Sequence, residues 1–160
     1  MPDALLSLGS NQGDPVSALD RAVELIANDL QMIVKQRSSF YRTKPVGPVP
    51  QDDFVNMAVQ IETALDPVAL VHHLLEIESR LGRDRTKAVR WGPRVIDIDL
   101  ILYDQVSLTT ADVEVPHPRF RERAFVLIPL AEIAPTWRVG ADTLHDLAQA
   151  IGHDGVEKLR

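Results

Sequence analysis

An α+β domain, with a mainly antiparallel sheet and helices on one face, is predicted by three features of the sequence. Strand-like and helix-like segments follow one another in the order β-α-β-β-α-β. Both helical segments open on the pair Asp-Pro, and no linker, repeat or low-complexity tract interrupts the 160 residues. That order is the ferredoxin-like one. The length fits a single domain, 1–160, ending in a short C-terminal extension.

The elements come from local patterns. Residues 4–8 (Ala-Leu-Leu-Ser-Leu) form a short apolar run stopped by Gly9, a strand. Asp14 then caps a helix whose first turn holds Pro15, and Leu19, Ala22, Val23, Ile26 and Leu30 recur at three- and four-residue steps along one face. Residues 32–41 are β-rich at both ends and predict one strand. Prolines 45, 48 and 50 with Gly47 leave 43–53 as a loop. Val55, Met57, Val59 and Ile61 alternate as in a half-buried strand. Asp66-Pro67 repeats the helix start, and Leu70, Leu74, Ile77 and Leu81 carry its apolar stripe to Gly82. Residues 95–103 form a further strand, residues 124–130 a helix or a strand, and residues 143–151 a short terminal helix.

Composition narrows the chemistry. Apolar residues make up 45% and charged residues 25%, a globular balance that excludes a disordered chain. The absence of cysteine excludes a disulfide framework, thiol catalysis and thiolate zinc, and fits a reducing cytoplasm. No apolar run approaches the ~18 residues of a membrane span, and Met-Pro-Asp-Ala lacks the basic start of a signal peptide. A net charge of −6 argues against a general nucleic-acid binder. The expectation is a cytoplasmic monomer acting on small molecules, without nucleic-acid or membrane partners.

Charge is unevenly spread. Arg80, Arg83, Arg85, Lys87, Arg90 and Arg94 fall within fifteen residues against one anion, Asp84, and Arg119, Arg121 and Arg123 follow a Pro-His-Pro turn. Such a run is either a solvated basic loop or a site for a small polyanion, since guanidinium forks match phosphate oxygens in pairs. The strand that follows supplies a second signal. Ile96, Ile98, Leu100 and Leu102 point one way, into the core, while Asp97 and Asp99 point the other, about 6.6 Å apart at Cα. Two like charges on one face of a core strand repel, unless the strand is an edge meeting water or a cation lies between them. Oxygen donors without His or Cys favour Mg²⁺. Carboxylates that hold Mg²⁺ beside arginines are what phosphoryl transfer requires. No P-loop and no G-x-G-x-x-G is present; the glycines at 9–13 read as a turn needing positive φ.

These residues resemble a family. Arg90-Trp91-Gly92-Pro93-Arg94-x-x-Asp97-Ile98-Asp99-Leu100 is similar to the signature of the 6-hydroxymethyl-7,8-dihydropterin pyrophosphokinases, folate-pathway transferases. Three further blocks agree: Gly9-Ser10-Asn11; Ser39-Phe40-Tyr41-Arg42-Thr43-x-Pro45-x-Gly47 continuing to Phe54-x-Asn56; and Pro116-His117-Pro118-Arg119 with Arg123-x-Phe125. Together they span roughly residues 5–135 in family order. The resemblance implies transfer of an intact pyrophosphoryl group from ATP to the pterin hydroxymethyl, with two Mg²⁺ ions held by Asp97 and Asp99. It implies that Arg83 and Arg85 act in catalysis and that ATP meets Glu78, Arg83, Arg85, Trp91, Arg94, His117 and Arg123. The pterin would meet Thr43, Val46, Phe54, Asn56, Trp91 and Phe125, with Phe54 and Phe125 stacking on it. On residue type alone, Phe54 and Phe125 read as core residues, His117, between two prolines, stands out from the other histidines as a site candidate with a structural turn role as the alternative, and Arg119 and Arg121 are either nucleotide-side or surface. Phe54 stands where the family has Tyr, Lys44 where some members have Pro, and Leu75 and Glu114 where some place polar nucleotide contacts. The 43–53 and 82–93 loops are expected to close over the substrates.

Two other classes compete on the same features. One is a non-catalytic ferredoxin-like module that holds RNA or another polyanion on the arginine loop. The other is an ordinary kinase delivering only the γ-phosphate.

Overall fold

The structure is a computed structural model and describes residues 1–45, 47–82 and 95–159. Strand β1 (Asp3–Ser10) leads to helix α1 (Pro15–Ala27), then β2 (Met32–Arg37), β3 (Tyr41–Thr43), β4 (Phe54–Thr63), α2 (Pro67–Arg80) and β5 (Asp97–Tyr103). A small ribbon, β6 (Leu108–Thr109) and β7 (Glu114–Val115), precedes a 3₁₀ turn at Phe120–Glu122 and α3 (Ala124–Ile133). The hairpin β8 (Arg138–Val139) and β9 (Asp142–Thr143), helix α4 (Leu144–Ile151) and β10 (Val156–Lys158) complete the described chain.

All pairings in the main sheet are antiparallel, in the order β10-β3-β4-β1-β5, with β2 also pairing β4. At ten residues, β4 is long enough to take β2 along Val59 to Thr63 and β3 along Phe54 to Asn56. The expected single strand over 32–41 is therefore two strands. Between them Ser38 keeps the ladder satisfied: its N–H donates to Ala58 O at 2.9 Å and its Oγ accepts from Ala58 N at 2.8 Å.

Both predicted helix starts are present. Asp14 Oδ1 accepts from Ser17 N and Asp66 Oδ1 from Ala69 N, each followed by proline in the first turn. Leu19, Ala22, Val23 and Ile26 bury α1, and Leu70, Leu74 and Ile77 bury α2, against Ala4, Leu6 and Leu8 of β1. Leu30 is a correction, since α1 ends at Ala27 and Leu30 is fully exposed. The chain there is held in a turn by Asp29, whose Oδ1 accepts from Gln31 N.

Helices on one face describes only α1 and α2. Leu5, Ala58 and Ile101 make the opposite face apolar as well, and α3 and α4 cover it. Val126 to Leu130 are all buried, so α3 shows no helical period in its sequence and reads equally as a strand. Leu102 also departs from expectation. A register shift opposite Leu5 and Leu6 moves it into the α3 side of the core, away from Ile98 and Leu100. After α4, opened by a Thr143/Asp146 capping box, β10 returns to pair with β3. Among the described residues no helix is long and apolar enough to cross a membrane.

Candidate active site

A cleft of about 440 Å³ opens on the α3 side of the sheet, within the range of small-molecule sites. Ser7 and Gly9 of β1, Phe54 and Asn56 of β4, and Asp97, Asp99 and Ile101 of β5 line it. Thr43 and Lys44 enter from the end of β3, and Arg119, Glu122, Arg123, Phe125 and Val126 from the approach to α3 and its first turn.

Sheet register explains why the polar groups converge. Asp97 lies across from Gly9 and Asp99 across from Ser7, and cross-strand partners share a face. Both carboxylates stand in the cleft, half-buried, while Ile98 between them is sunk in the α1/α2 core. Small residues at 7 and 9 leave space above them. The donor set fits Mg²⁺, which commonly takes one or two protein carboxylates and completes its shell with water and phosphate oxygens. Among the described residues no group of three or more His, Cys, Asp or Glu forms a closed metal cage.

Gly9 has a packing role that the turn reading missed. Its φ is not positive; the turn glycine is Gly13, at φ +62°. A Cβ on Gly9 would come within 2.6 Å of Asn56 Oδ1. Asn56 is buried and its Nδ2 donates to Thr43 Oγ1 at 2.7 Å, which sets the amide's orientation and aims its remaining hydrogen-bonding capacity at the cleft. Thr43 and Asn56 thus form one unit seated on Gly9. At the end of β1, buried Asn11 donates to Gln51 Oε1 at 2.7 Å and Asp52 O at 3.0 Å, tying the 43–53 loop to the sheet.

The two walls are braced together. Tyr41 Oη donates to Glu132 Oε1, and Ser39 donates to the same carboxylate from N and Oγ, joining β3 to α3. Burial, then the Glu132 charge, raises the Tyr41 hydroxyl above its usual range, so it stays a donor. At the N-cap of α3, the Arg123 guanidinium lies 5.8 Å from the Phe125 ring centre. His117 sits beside the cleft, its N–H donating to Ile101 O at 2.9 Å and its Nδ1 accepting from Arg119 N at 3.3 Å. Burial, then the Arg123 and Arg119 charges, lowers the His117 pKa below 6.5 and favours neutral imidazole.

Of the sequence-predicted residues, Thr43, Phe54, Asn56, Asp97, Asp99, Arg123 and Phe125 line this one cleft. Glu78 does not. It is 1% exposed on α2, and its Oε2 accepts from Ile98 N at 2.7 Å. Val46, Arg83, Arg85, Trp91 and Arg94 lie outside the described residues. Arg119, left open by sequence, lines the cleft, whereas Arg121 is exposed with its guanidinium over Phe120. Ser7, Gly9 and Lys44 are further lining residues; the polar break in the apolar run at Ser7 was the available signal for the first two.

A family profile described as 7,8-dihydro-6-hydroxymethylpterin-pyrophosphokinase (HPPK) matches residues 5–135. The chain belongs to this family. It is 45% identical over 159 residues to the 2-amino-4-hydroxy-6-hydroxymethyldihydropteridine pyrophosphokinase of Methylorubrum extorquens, covering 99% of each chain. It is 47% identical over 130 residues to the Bacillus subtilis protein of the same name, covering 81% of this chain and 77% of that one. The wild-type HPPK-DHPS crystal structure from Plasmodium falciparum matches the fold with a TM-score of 0.72 at 15% identity. That match covers 93% of this chain and 41% of the longer one. In this member of the HPPK family the cleft on the α3 side is of small-molecule size, and the β5 aspartate pair is part of its polar lining.

Proposed function

We propose that the chain is an ATP-dependent pyrophosphokinase that transfers the pyrophosphoryl group of ATP to 6-hydroxymethyl-7,8-dihydropterin in folate biosynthesis. The pterin hydroxyl oxygen bonds to the β-phosphorus, the bond from that phosphorus to the α,β-bridging oxygen breaks, AMP leaves, and the hydroxyl proton passes to solvent. The observation that carries this reading is the meeting of two carboxylates, two phenylalanines and cationic side chains in one cleft.

In this reading Phe54 and Phe125 stack on the flat heterocycle, each contact contributing ~0.5–1.5 kcal/mol beyond burial. Asn56, fixed by Thr43, reads the polar edge of the pterin. Arg123 and neutral His117 donate to phosphate oxygens, and guanidinium donors favour charge that builds on the migrating group. Asp97 and Asp99 hold two Mg²⁺ ions, which when bound neutralise the triphosphate and orient the hydroxyl. Arg83 and Arg85 as catalytic groups, Arg94 and Trp91 on ATP, and Val46 and Trp91 on the pterin enter through the family signature. Glu78 belongs to the ATP side through the strand it supports. We further assign residues 1–160 to one ferredoxin-like pyrophosphokinase domain, a cytoplasmic monomer, with the C-terminal α4 and β10 added to the β5-β1-β4-β2/β3 core.

Product analysis tests this. AMP formed only when both the pterin and Mg²⁺ are present supports pyrophosphoryl transfer. ADP would mean γ-phosphate transfer, and tight RNA binding without turnover would mean a binding module.

A further inference from the structure

Resting on the metal assignment above, we propose that Glu78 is a positioning residue: its buried carboxylate holds the backbone midway between Asp97 and Asp99. Three observations meet here. Among the described residues β5 is the edge strand of the sheet, paired on one side by β1, so its outward N–H groups meet no described strand. Asp97 is the first residue of that strand, where pairing begins and fraying is easiest. Glu78 reaches this spot from the last turns of α2, beside the buried Leu74 and Ile77, and accepts the Ile98 N–H at 2.7 Å.

An ionisable side chain on an apolar helix face is costly to bury, so its placement calls for a specific partner. The Ile98 amide is one such partner, and a carboxylate holds it more firmly than a neutral acceptor would. The consequence follows from strand geometry. Successive side chains alternate faces, so fixing the peptide at Ile98, with Ile98 itself locked in the core, fixes the direction of the aspartate on either side. Farther along the same edge, His117 N donates to Ile101 O, so among the described residues the outer edge is anchored at Ile98 and again at Ile101. Glu78 controls the anchor that bears the carboxylates.

Glu78→Ala and Glu78→Gln separate this role from direct ATP contact, since Gln keeps an acceptor oxygen. In Glu78→Ala, amide exchange at Ile98 should accelerate while exchange at Leu6, in the sheet centre, does not. Binding of Mn²⁺ with a nonhydrolysable ATP analogue should weaken about tenfold or more, as for other groups that orient metal ligands. Glu78→Gln should restore most of both effects. Should Glu78→Ala fail to fold, Glu78→Met fills the space without an acceptor and carries the same expectations. Unchanged Ile98 exchange and Mn²⁺ affinity in a folded variant, with KM for ATP raised, would overturn the proposal. The exchange and Mn²⁺ measurements decide the point even where the wild type forms no AMP, the result that would instead overturn the reaction.

Discussion

Replacing Gly9 by alanine probes the pterin side of the cleft with a single methyl group. The backbone at Gly9 accepts any residue, so the effect is one of space. The new Cβ would lie 2.6 Å from Asn56 Oδ1, where ordinary contact starts at 3.4 Å, so something must yield by about 0.8 Å. Asn56 has little freedom to yield. It is 5% exposed and bonded to Thr43 Oγ1 at 2.7 Å. Overpacking of this kind costs ~1–3 kcal/mol, and a displaced amide forfeits a further ~0.5–1.5 kcal/mol for each hydrogen bond it would make to the pterin. The expected result is a lower unfolding temperature and pterin affinity weakened about tenfold or more, with affinity for ATP alone little changed. Calorimetry and pterin titration in the presence of a nonhydrolysable ATP analogue measure both. Asn56→Ala removes the obstacle, so Gly9→Ala should be nearly neutral for stability in that background. Wild-type pterin affinity and stability in Gly9→Ala, or full additivity with Asn56→Ala, would refute the contact argument.

Other positions give independent checks. Asp97→Ala and Asp99→Ala should each abolish turnover with circular dichroism unchanged; wild-type rates in both would remove the metal assignment. Ser38→Ala leaves the Ala58 N–H without its acceptor at the β2–β3 break and should cost ~1–3 kcal/mol in urea unfolding, whereas an unchanged midpoint would contradict the role given to Ser38. His117 is held below 6.5, so near and below that pH the unfolded chain binds the extra proton first and folding stability falls as the solution is acidified. His117→Gln should flatten that part of the stability profile between pH 7.5 and 5; an unaltered slope would show that other groups set it.

The legible parts of the chain were those where one rule acted without competition. Asp14-Pro15 and Asp66-Pro67 marked both helix starts because capping is local, and the alternation through Asp97 and Asp99 put both carboxylates on one face because β5 is regular there. What escaped depends on contacts between distant segments. Ser38 breaks the 32–41 strand by bonding a residue twenty positions away, and α3 hides its helical character because nearly every side is buried. Leu102 changes face at a register shift that no pattern in β5 records. In the site, Gly9 looked like a turn glycine because its real neighbour, Asn56, is on another strand. The bond from the Ile98 amide to Glu78 was hidden too, because position along a helix does not reveal which strand backbone its carboxylate meets.

The account turns on where divalent ions sit. A crystal grown with Mn²⁺, a nonhydrolysable ATP analogue and hydroxymethyl-dihydropterin, measured at the manganese absorption edge, should show anomalous peaks within ~2.0–2.2 Å of Asp97 and Asp99 oxygens, allowing for ions of Mg²⁺ type. Peaks elsewhere in the molecule, with those two carboxylates turned away from the nucleotide phosphates, would contradict it.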